Sequence, residues 1–330
     1  MRLFKNANYN FMRWRWHAVA LSWVVIIAGM VVIATKGLPR GIEFAGGSAV
    51  IAQFDQTPSV QAVREALNRN YPGGGQDAVV QSYGDPSLRQ VMVRVPQVGA
   101  EQGASLSTTA QAVEAALRKG NLGNFTVVGT EIVGPAVGQE LENKGLWAFG
   151  LSLVGILAYL AFRFQFSFAL GAVVATIHDI LVALAFLAFF QYDLTLNVIA
   201  AILTVTGYST NDTIVIFDRV RENMRSHRRD SLNDIINIAI NQTLGRTILT
   251  AGTALLSAIA LFVFGGEVLR GFAFTMIVGV ITGTYSSVFV AAAIVTFWRP
   301  KHRRAVAAAA EAQAVSQPAR RSKQRKARAS

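Results

Sequence analysis

The sequence contains no cysteine and only four histidines, His17, His178, His227 and His302. The first absence excludes a disulfide scaffold, a thiolate metal site and cysteine catalysis. The scatter of the histidines leaves no histidine-rich zinc site, so neither a metal nor a cofactor is expected. No glycine-rich loop ends in Lys-Ser or Lys-Thr, which removes the usual cradle for a nucleotide phosphate. Charge is scarce too: 15% of the 330 residues are charged, against about 25% in a soluble domain. What is abundant is apolar: 52% of residues are hydrophobic and mean hydropathy is +0.38.

The formal charge of +12 is gathered into blocks. Residues 1–16 carry +4, 36–144 carry −1, 218–246 carry +2 and 299–330 carry +9, with almost no charge between them. This segregation points to a membrane protein rather than a nucleic-acid-binding face. A spanning helix needs about 20 apolar residues. Six segments qualify, at about 17–35, 145–162, 166–190, 194–217, 247–264 and 271–298. The first follows a basic stretch but is long and lacks an Ala-x-Ala cleavage site, so it reads as a retained anchor. Lys and Arg near helix ends set orientation. Residues 1–16, Arg163, the 218–246 loop and the 299–330 tail then fall inside, and 36–144 falls outside.

Residues 36–144 are enough for a small core of their own. Their pattern predicts strand 42–54, helix 58–70, strands 77–83 and 88–95, helix 105–119 and strand 124–133, a β-α-β-β-α-β order of the ferredoxin-like kind. The predicted fold class is therefore a six-helix membrane protein with one external α+β domain between helices one and two. Within the 219–246 segment, Ser231 can cap an amphipathic helix over 231–242, with Leu232, Ile235, Ile236 and Ala239 on one face, expected to lie along the membrane surface. Residues 320–330 hold six basic residues, too polar to fold alone and suited to anionic lipid, with RNA as the alternative contact.

Ionisable residues inside spanning helices are expensive and mark function. His178 and Asp179 fall mid-way along the third segment, Asp212 toward the inner end of the fourth, and Arg246 at the start of the fifth. Asp212 and Arg246 are expected at similar depth and able to pair. Thr243, Arg246, Thr250, Thr253 and Ser257 make one polar stripe, and Thr204, Tyr208 and Asp212, with Ser209 beside them, make another. Two such stripes suit a proton relay, with helix–helix adhesion as the alternative. His178 and Asp179, pointing about 100° apart on a helix, are not expected to share one small site. Thr275, Gly279, Gly283, Ser287 and Ala291, at four-residue spacing, favour close helix packing.

Several motifs resemble the SecF family, subunits of the bacterial protein-export machinery. They are Phe44-Ala45-Gly46-Gly47, Val133-Gly134-Pro135, Gln139-Glu140-Leu141, His178-Asp179, Gly207-Tyr208-Ser209 with Asn211-Asp212-Thr213, and Asp218-Arg219 with Arg221-Glu222-Asn223. Gln242-Thr243-Leu244 with Arg246-Thr247, Gly265-Gly266 and Gly271-Phe272 complete a likeness covering about 9–299. The resemblance implies half of a twelve-helix transporter of the resistance-nodulation-division kind, completed by SecD in the bacterial plasma membrane. It implies an external domain that acts on unfolded preprotein leaving the SecYEG channel, and proton flow as the driving force. The family's membrane Asp and Arg match Asp212 and Arg246; His178, Asp179, Tyr208, Ser209 and Thr250 are secondary candidates. Phe44, Gly46 and Gly47 are a candidate conformational motif, with a permissive glycine bend or close backbone packing as its physical basis. No enzymatic residue is implied. The rival readings are a small-molecule exporter half, an assembly subunit without a proton path, and an intramembrane protease, which the absence of Gly-x-Gly-Asp disfavours.

Overall fold

A computed structural model describes residues 7–56, 58–72, 78–95, 105–133, 135–163, 166–227 and 230–298. The basic tail lies outside the described residues. Helix α1 (Phe11–Lys36) starts at Asn10, whose side chain accepts the Arg13 amide at 3.1 Å and satisfies one of the free amides of the first turn. After α1 the chain makes one helical turn, α2 (Ile42–Ala45), and enters strand β1 (Gly47–Phe54). The strand predicted from residue 42 begins five residues later. Gly46 and Gly47 take φ of 68° and 120°, a region open to glycine at no steric cost, and they turn helix into strand.

Helix α3 (Val60–Asn70), strands β2 (Val79–Tyr83) and β3 (Gln90–Val95), helix α4 (Ser105–Lys119) and strand β4 (Phe125–Val133) follow. Pro58 is predicted to open α3, but the cap is Ser59, which accepts the Ala62 amide at 3.1 Å. The strands form one antiparallel sheet in the order β2-β3-β1-β4. The period-two alternation sends Val50, Ala52, Phe54, Val80, Val91, Val93 and Val95 to one face, where Val63 and Leu67 of α3 and Val113, Ala116 and Leu117 of α4 cover them. The other face carries Ala49, Gln81, Met92, Arg94 and Glu131, and it looks toward the turns that join the long helices.

The remaining helices are α5 (Pro135–Arg163), α6 (Phe166–Phe189), α7 (Leu196–Ser226), α8 (Leu232–Phe264) and α9 (Gly266–Ser286). Helix α9 continues through a π-helical turn, Ser287–Ala291, into α10 (Ala292–Trp298). Among the described residues, five stretches are long and apolar enough to cross a membrane: Phe11–Lys36, Val137–Arg163, Phe166–Phe189, Leu232–Phe264 and Val268–Thr296. Helix α7 matches them in length at 31 residues, but Thr204, Thr206 and the run from Tyr208 to Thr213 dilute its apolar character. Most of that run is buried inside the bundle.

Small residues set the helix spacing. A Cβ on Gly279 of α9 would lie 2.3 Å from the Val205 side chain of α7, and one on Gly283 would lie 2.9 Å from Ser209 Cβ. On Gly29 of α1 it would lie 2.1 Å from Ala185 Cβ of α6. These backbones approach as closely as they do because no side chain intervenes. The four-residue stripe on α9 is thus a packing seam against α7, with Ser287 adding a second role described below.

The 231–242 stretch departs from its predicted form. It is not a separate surface helix but the first turns of α8, capped by Ser231 accepting the Asp234 amide at 3.2 Å. Leu232, Ile235, Ile236 and Ala239 face the core shared with Phe168, Ile216, Val220 and Val295. Their apolar face is occupied by neighbouring helices, and nothing at residue 242 interrupts the helical ladder. Likewise, residues 219–226 are the end of α7.

Candidate functional site

Two carboxylates lie in the bundle core, each held by hydroxyls from other helices. Asp212 of α7 is 7% exposed; its Oδ1 accepts Thr247 Oγ1 of α8 at 2.7 Å, and its Oδ2 accepts Ser287 Oγ of the π-helical turn at 2.6 Å. Asp179 of α6 is 1% exposed; its Oδ2 accepts Ser209 Oγ of α7 at 2.5 Å and Ser286 Oγ of α9 at 2.7 Å. Adjacent serines therefore hold different carboxylates, and Ser209 and Asp212 sit one turn apart on α7. Buried Thr176 and Thr210, with hydroxyls 3.4 Å apart, extend the polar layer between α6 and α7.

The hydroxyls suit a group that changes protonation. A serine hydroxyl can donate to a carboxylate or accept from a carboxylic acid. Ser287 Oγ also lies 3.0 Å from the Thr284 carbonyl, and Ser286 Oγ 3.2 Å from the Gly283 carbonyl. Each serine thus has a second acceptor to turn to when its carboxylate gains a proton. Both serines stand where α9 passes into π-helix, a local irregularity frequent at functional sites.

The structure does not form the pair expected between Asp212 and Arg246. Arg246 is exposed on α8, and Asp212 accepts from Thr247 instead. Successive residues of a helix are rotated by about 100°, so the two cannot both enter the core. The predicted α8 stripe divides the same way: Thr243 is buried, while Arg246, Thr250, Thr253 and Ser257 are exposed. The Thr250, Thr253 and Ser257 hydroxyls return to carbonyls of their own helix, at 3.0, 3.1 and 3.1 Å. On α7, Thr204 is exposed and bonds the Ala200 carbonyl, and half-buried Tyr208 faces Thr250 and Thr284. The two stripes therefore do not meet as a continuous polar track.

A second departure concerns His178 and Asp179, which do share a site. His178 Nδ1 lies 3.0 Å from Asp179 Oδ1, and both side chains are buried. The 100° between their Cα–Cβ directions is bridged by the reach of the imidazole. His178 Nε2 is buried and has no hydrogen-bond partner among the described residues.

Thr247, Ser286 and Ser287 are the site residues that the sequence pattern did not single out for chemistry. Ser287 belongs to the four-residue packing stripe, and Thr247 adjoins Arg246, whose charge made it the expected partner of Asp212. Phe44, Gly46 and Gly47 lie elsewhere, under α5. Phe44 is buried, and a Cβ on Gly138 of α5 would lie 3.1 Å from the Phe44 carbonyl and 3.3 Å from the Gly46 amide. Both physical bases suggested for the glycines, the bend and the close backbone approach, occur together there.

The family model for the protein export membrane protein SecD/SecF, C-terminal, matches residues 112–301, and that for the SecD/SecF GG motif matches residues 31–58. The chain belongs to the SecD/SecF family. Its relatives on the SecF side include protein translocase subunit SecF of Desulfurispirillum indicum, 40% identical over 88% of this chain and 92% of the relative. SecF of Pseudomonas aeruginosa is 43% identical over 89% and 92%, and SecF of Escherichia coli O157:H7 is 36% identical over 87% and 86%. Among solved structures, SecDF from Thermus, a translocon-associated membrane protein, superposes with a TM-score of 0.79 at 33% identity. A SecDF in a super-membrane-facing form gives a TM-score of 0.64. The chain covers 90% and 93% of its own length in these superpositions but only 39% and 40% of the SecDF chains. It is similar over nearly its whole length to about two fifths of each SecDF chain, and it is a multi-pass membrane protein.

Proposed function

We propose that this chain works beside SecD and the SecYEG channel in the bacterial plasma membrane, and that proton movement through its bundle drives the external domain to hold and release unfolded preprotein. In this reading α7 is the sixth span. The basic blocks put both termini in the cytoplasm, the tail meets anionic lipid, and the α+β domain is ferredoxin-like. The strand order β2-β3-β1-β4 with two helices on one face supports the last assignment.

One observation carries the proton-coupled reading. Asp212 is buried with hydroxyl partners from two other helices, and no cation pairs with it among the described residues. A buried carboxylate beside a fixed guanidinium is held ionised, whereas one among hydroxyls has no such lock. On protonation, Ser287 turns its hydrogen to the Thr284 carbonyl and accepts a hydrogen bond from the Asp212 carboxylic acid, so a charge-assisted contact between α7 and the π-helical turn becomes a weaker neutral one. Asp179, reached from Ser209 and Ser286, is the second carrier, with His178 beside it. Arg246 serves from the exposed face of α8, next to Thr247, where a membrane partner would cover it.

The energy is adequate. One proton crossing 100 mV releases about 2.3 kcal/mol, comparable with the gap of a few kcal/mol between two conformers. The test is export of a preprotein into sealed vesicles with an imposed proton gradient and SecD present. Asp212→Asn, inserted at the wild-type level, is expected to abolish gradient-dependent stimulation. Undiminished stimulation would overturn the reading and leave Asp212 a structural residue.

A further inference from the structure

Besides the packing of Phe44 and Gly46 under α5, a largely buried ion pair remote from the carboxylate site ties the external domain to the helix bundle. Arg94, on the uncovered face of β3, meets Asp193 of the α6–α7 turn at 2.5 Å, with side chains 9% and 18% exposed. The same guanidinium donates through Nη1 to the Arg40 carbonyl at 3.0 Å, and Gln81 of β2 donates to Asp193 Oδ2 at 3.4 Å. Backbone bonds strengthen the junction: the Gly41 amide donates to the Leu194 carbonyl and the Leu194 amide to the Pro39 carbonyl, both at 2.8 Å. Gly41 permits this approach, since a Cβ there would lie 2.3 Å from Glu43 Oε2 and 3.1 Å from the Leu194 carbonyl.

We infer that Arg94 and Asp193 form a clasp that passes the bundle's movement to the external domain, acting as positioning residues for the export cycle. The inference rests on the proton-coupled reading above. Asp193 joins the two helices that carry Asp179 and Asp212, so a shift of either helix is delivered to the turn at its end. Arg94 sits on the central β3 strand, so the turn pulls on the whole sheet rather than on a loop. The clasp is also incompletely satisfied. Arg94 Nε and Asp193 Oδ1 are buried without hydrogen-bond partners among the described residues. A cleft of about 300 Å³, lined by Glu43, Glu131 and Arg270 among others, opens beside the pair. A buried ion pair with unmet hydrogen bonds contributes little net stability, yet fixes position strongly while it is closed. Such a contact can hold one arrangement and give way to another.

The chain has no cysteine, so spin labels can be attached at Arg64→Cys on α3 and Phe264→Cys at the exposed end of α8, in vesicles with the export machinery and a cysteine-free partner. The labels report the separation of domain and bundle, and preprotein export is measured with and without a proton gradient. Asp193→Asn is expected to lengthen or broaden the label distance and to reduce gradient-dependent stimulation by about tenfold, leaving export without a gradient unchanged. The exchange Arg94→Asp with Asp193→Arg should recover part of both, and Arg94→Lys, which keeps charge but loses the fork, should fall between. An unchanged distance together with unchanged stimulation in Asp193→Asn overturns the clasp. So does equal loss of export with and without the gradient, which marks a purely structural pair. Asp212→Asn, run in parallel, should remove stimulation while keeping the resting distance. If it keeps stimulation, the proton reading fails on its own account while the label distances still judge the tie.

Discussion

The buried aspartates of the bundle and the half-buried Asp193 differ in the company they keep. Asp212 and Asp179 sit in the bundle among hydroxyls of Thr247, Ser287, Ser209 and Ser286. Asp193 sits at the junction of sheet and bundle against a guanidinium. A hydroxyl reverses its hydrogen bond when the carboxylate gains a proton, but a guanidinium only donates and stays charged. The first arrangement permits a change of charge; the second resists it and fixes geometry. The same side chain is thereby suited to opposite tasks, one mid-way along helices α6 and α7 and the other in the turn that joins them.

Substitutions that remove charge should separate the two sites. The largest effect is expected at the junction, where Asp193→Asn strands a buried Arg94 charge. The loss of a partner in a buried pair costs about 3–5 kcal/mol, read as a lowered thermal midpoint of the purified complex. Next comes Ser287→Ala, which leaves Asp212 Oδ2 without its donor at a cost of about 1–3 kcal/mol and should weaken gradient-dependent export in sealed vesicles. Smaller still is Asp212→Asn. Its amide still finds Thr247 and Ser287, hydroxyls able to donate or accept, so the thermal midpoint should move by the equivalent of about 1 kcal/mol or less while stimulation disappears. If Asp212→Asn destabilises as much as Asp193→Asn, the distinction drawn here collapses.

The subtlest effect concerns Glu43 beside the clasp. Burial is the main influence raising its pKa above the ordinary value of 4.5; a hydrogen bond to its own backbone opposes it, repulsion from Glu131 and Asp193 adds to the rise, and Arg94 counters it. An acid raised on folding gives stability that is present at low pH and lost as pH climbs through the raised value. Glu43→Gln should therefore melt higher than the wild type at neutral pH, and the two melting profiles should converge toward pH 4.5. A variant less stable at neutral pH would show that Glu43 acts there as a needed anion.

Much of the architecture is legible in the sequence. The apolar lengths gave α1, α5, α6, α8 and α9, because hydrophobic thickness demands such runs. Ser231 marked the start of α8 through its capping chemistry. Val91, Val93 and Val95, alternating along the predicted strand 88–95, line the buried face of β3. The aspartates stood out because ionisable residues in apolar helices are rare. Their partners did not stand out. Arg246 attracted the expected pairing by charge, while Thr247, one residue on, makes the bond.

What the sequence alone determined is the list of elements, their order and the few polar groups the membrane region must accommodate. These follow from local propensity and apolar length, which act along the chain. Only the tertiary structure decided which face of each helix turned inward, and a rotation of about 100° per residue is enough to exchange an arginine for a threonine at a buried carboxylate. It likewise decided that Arg94 would meet Asp193, 99 residues away. Such contacts depend on how packed bodies settle against one another, through close approaches such as Gly279 on Val205 and Gly41 on Leu194, and no local pattern encodes that arrangement.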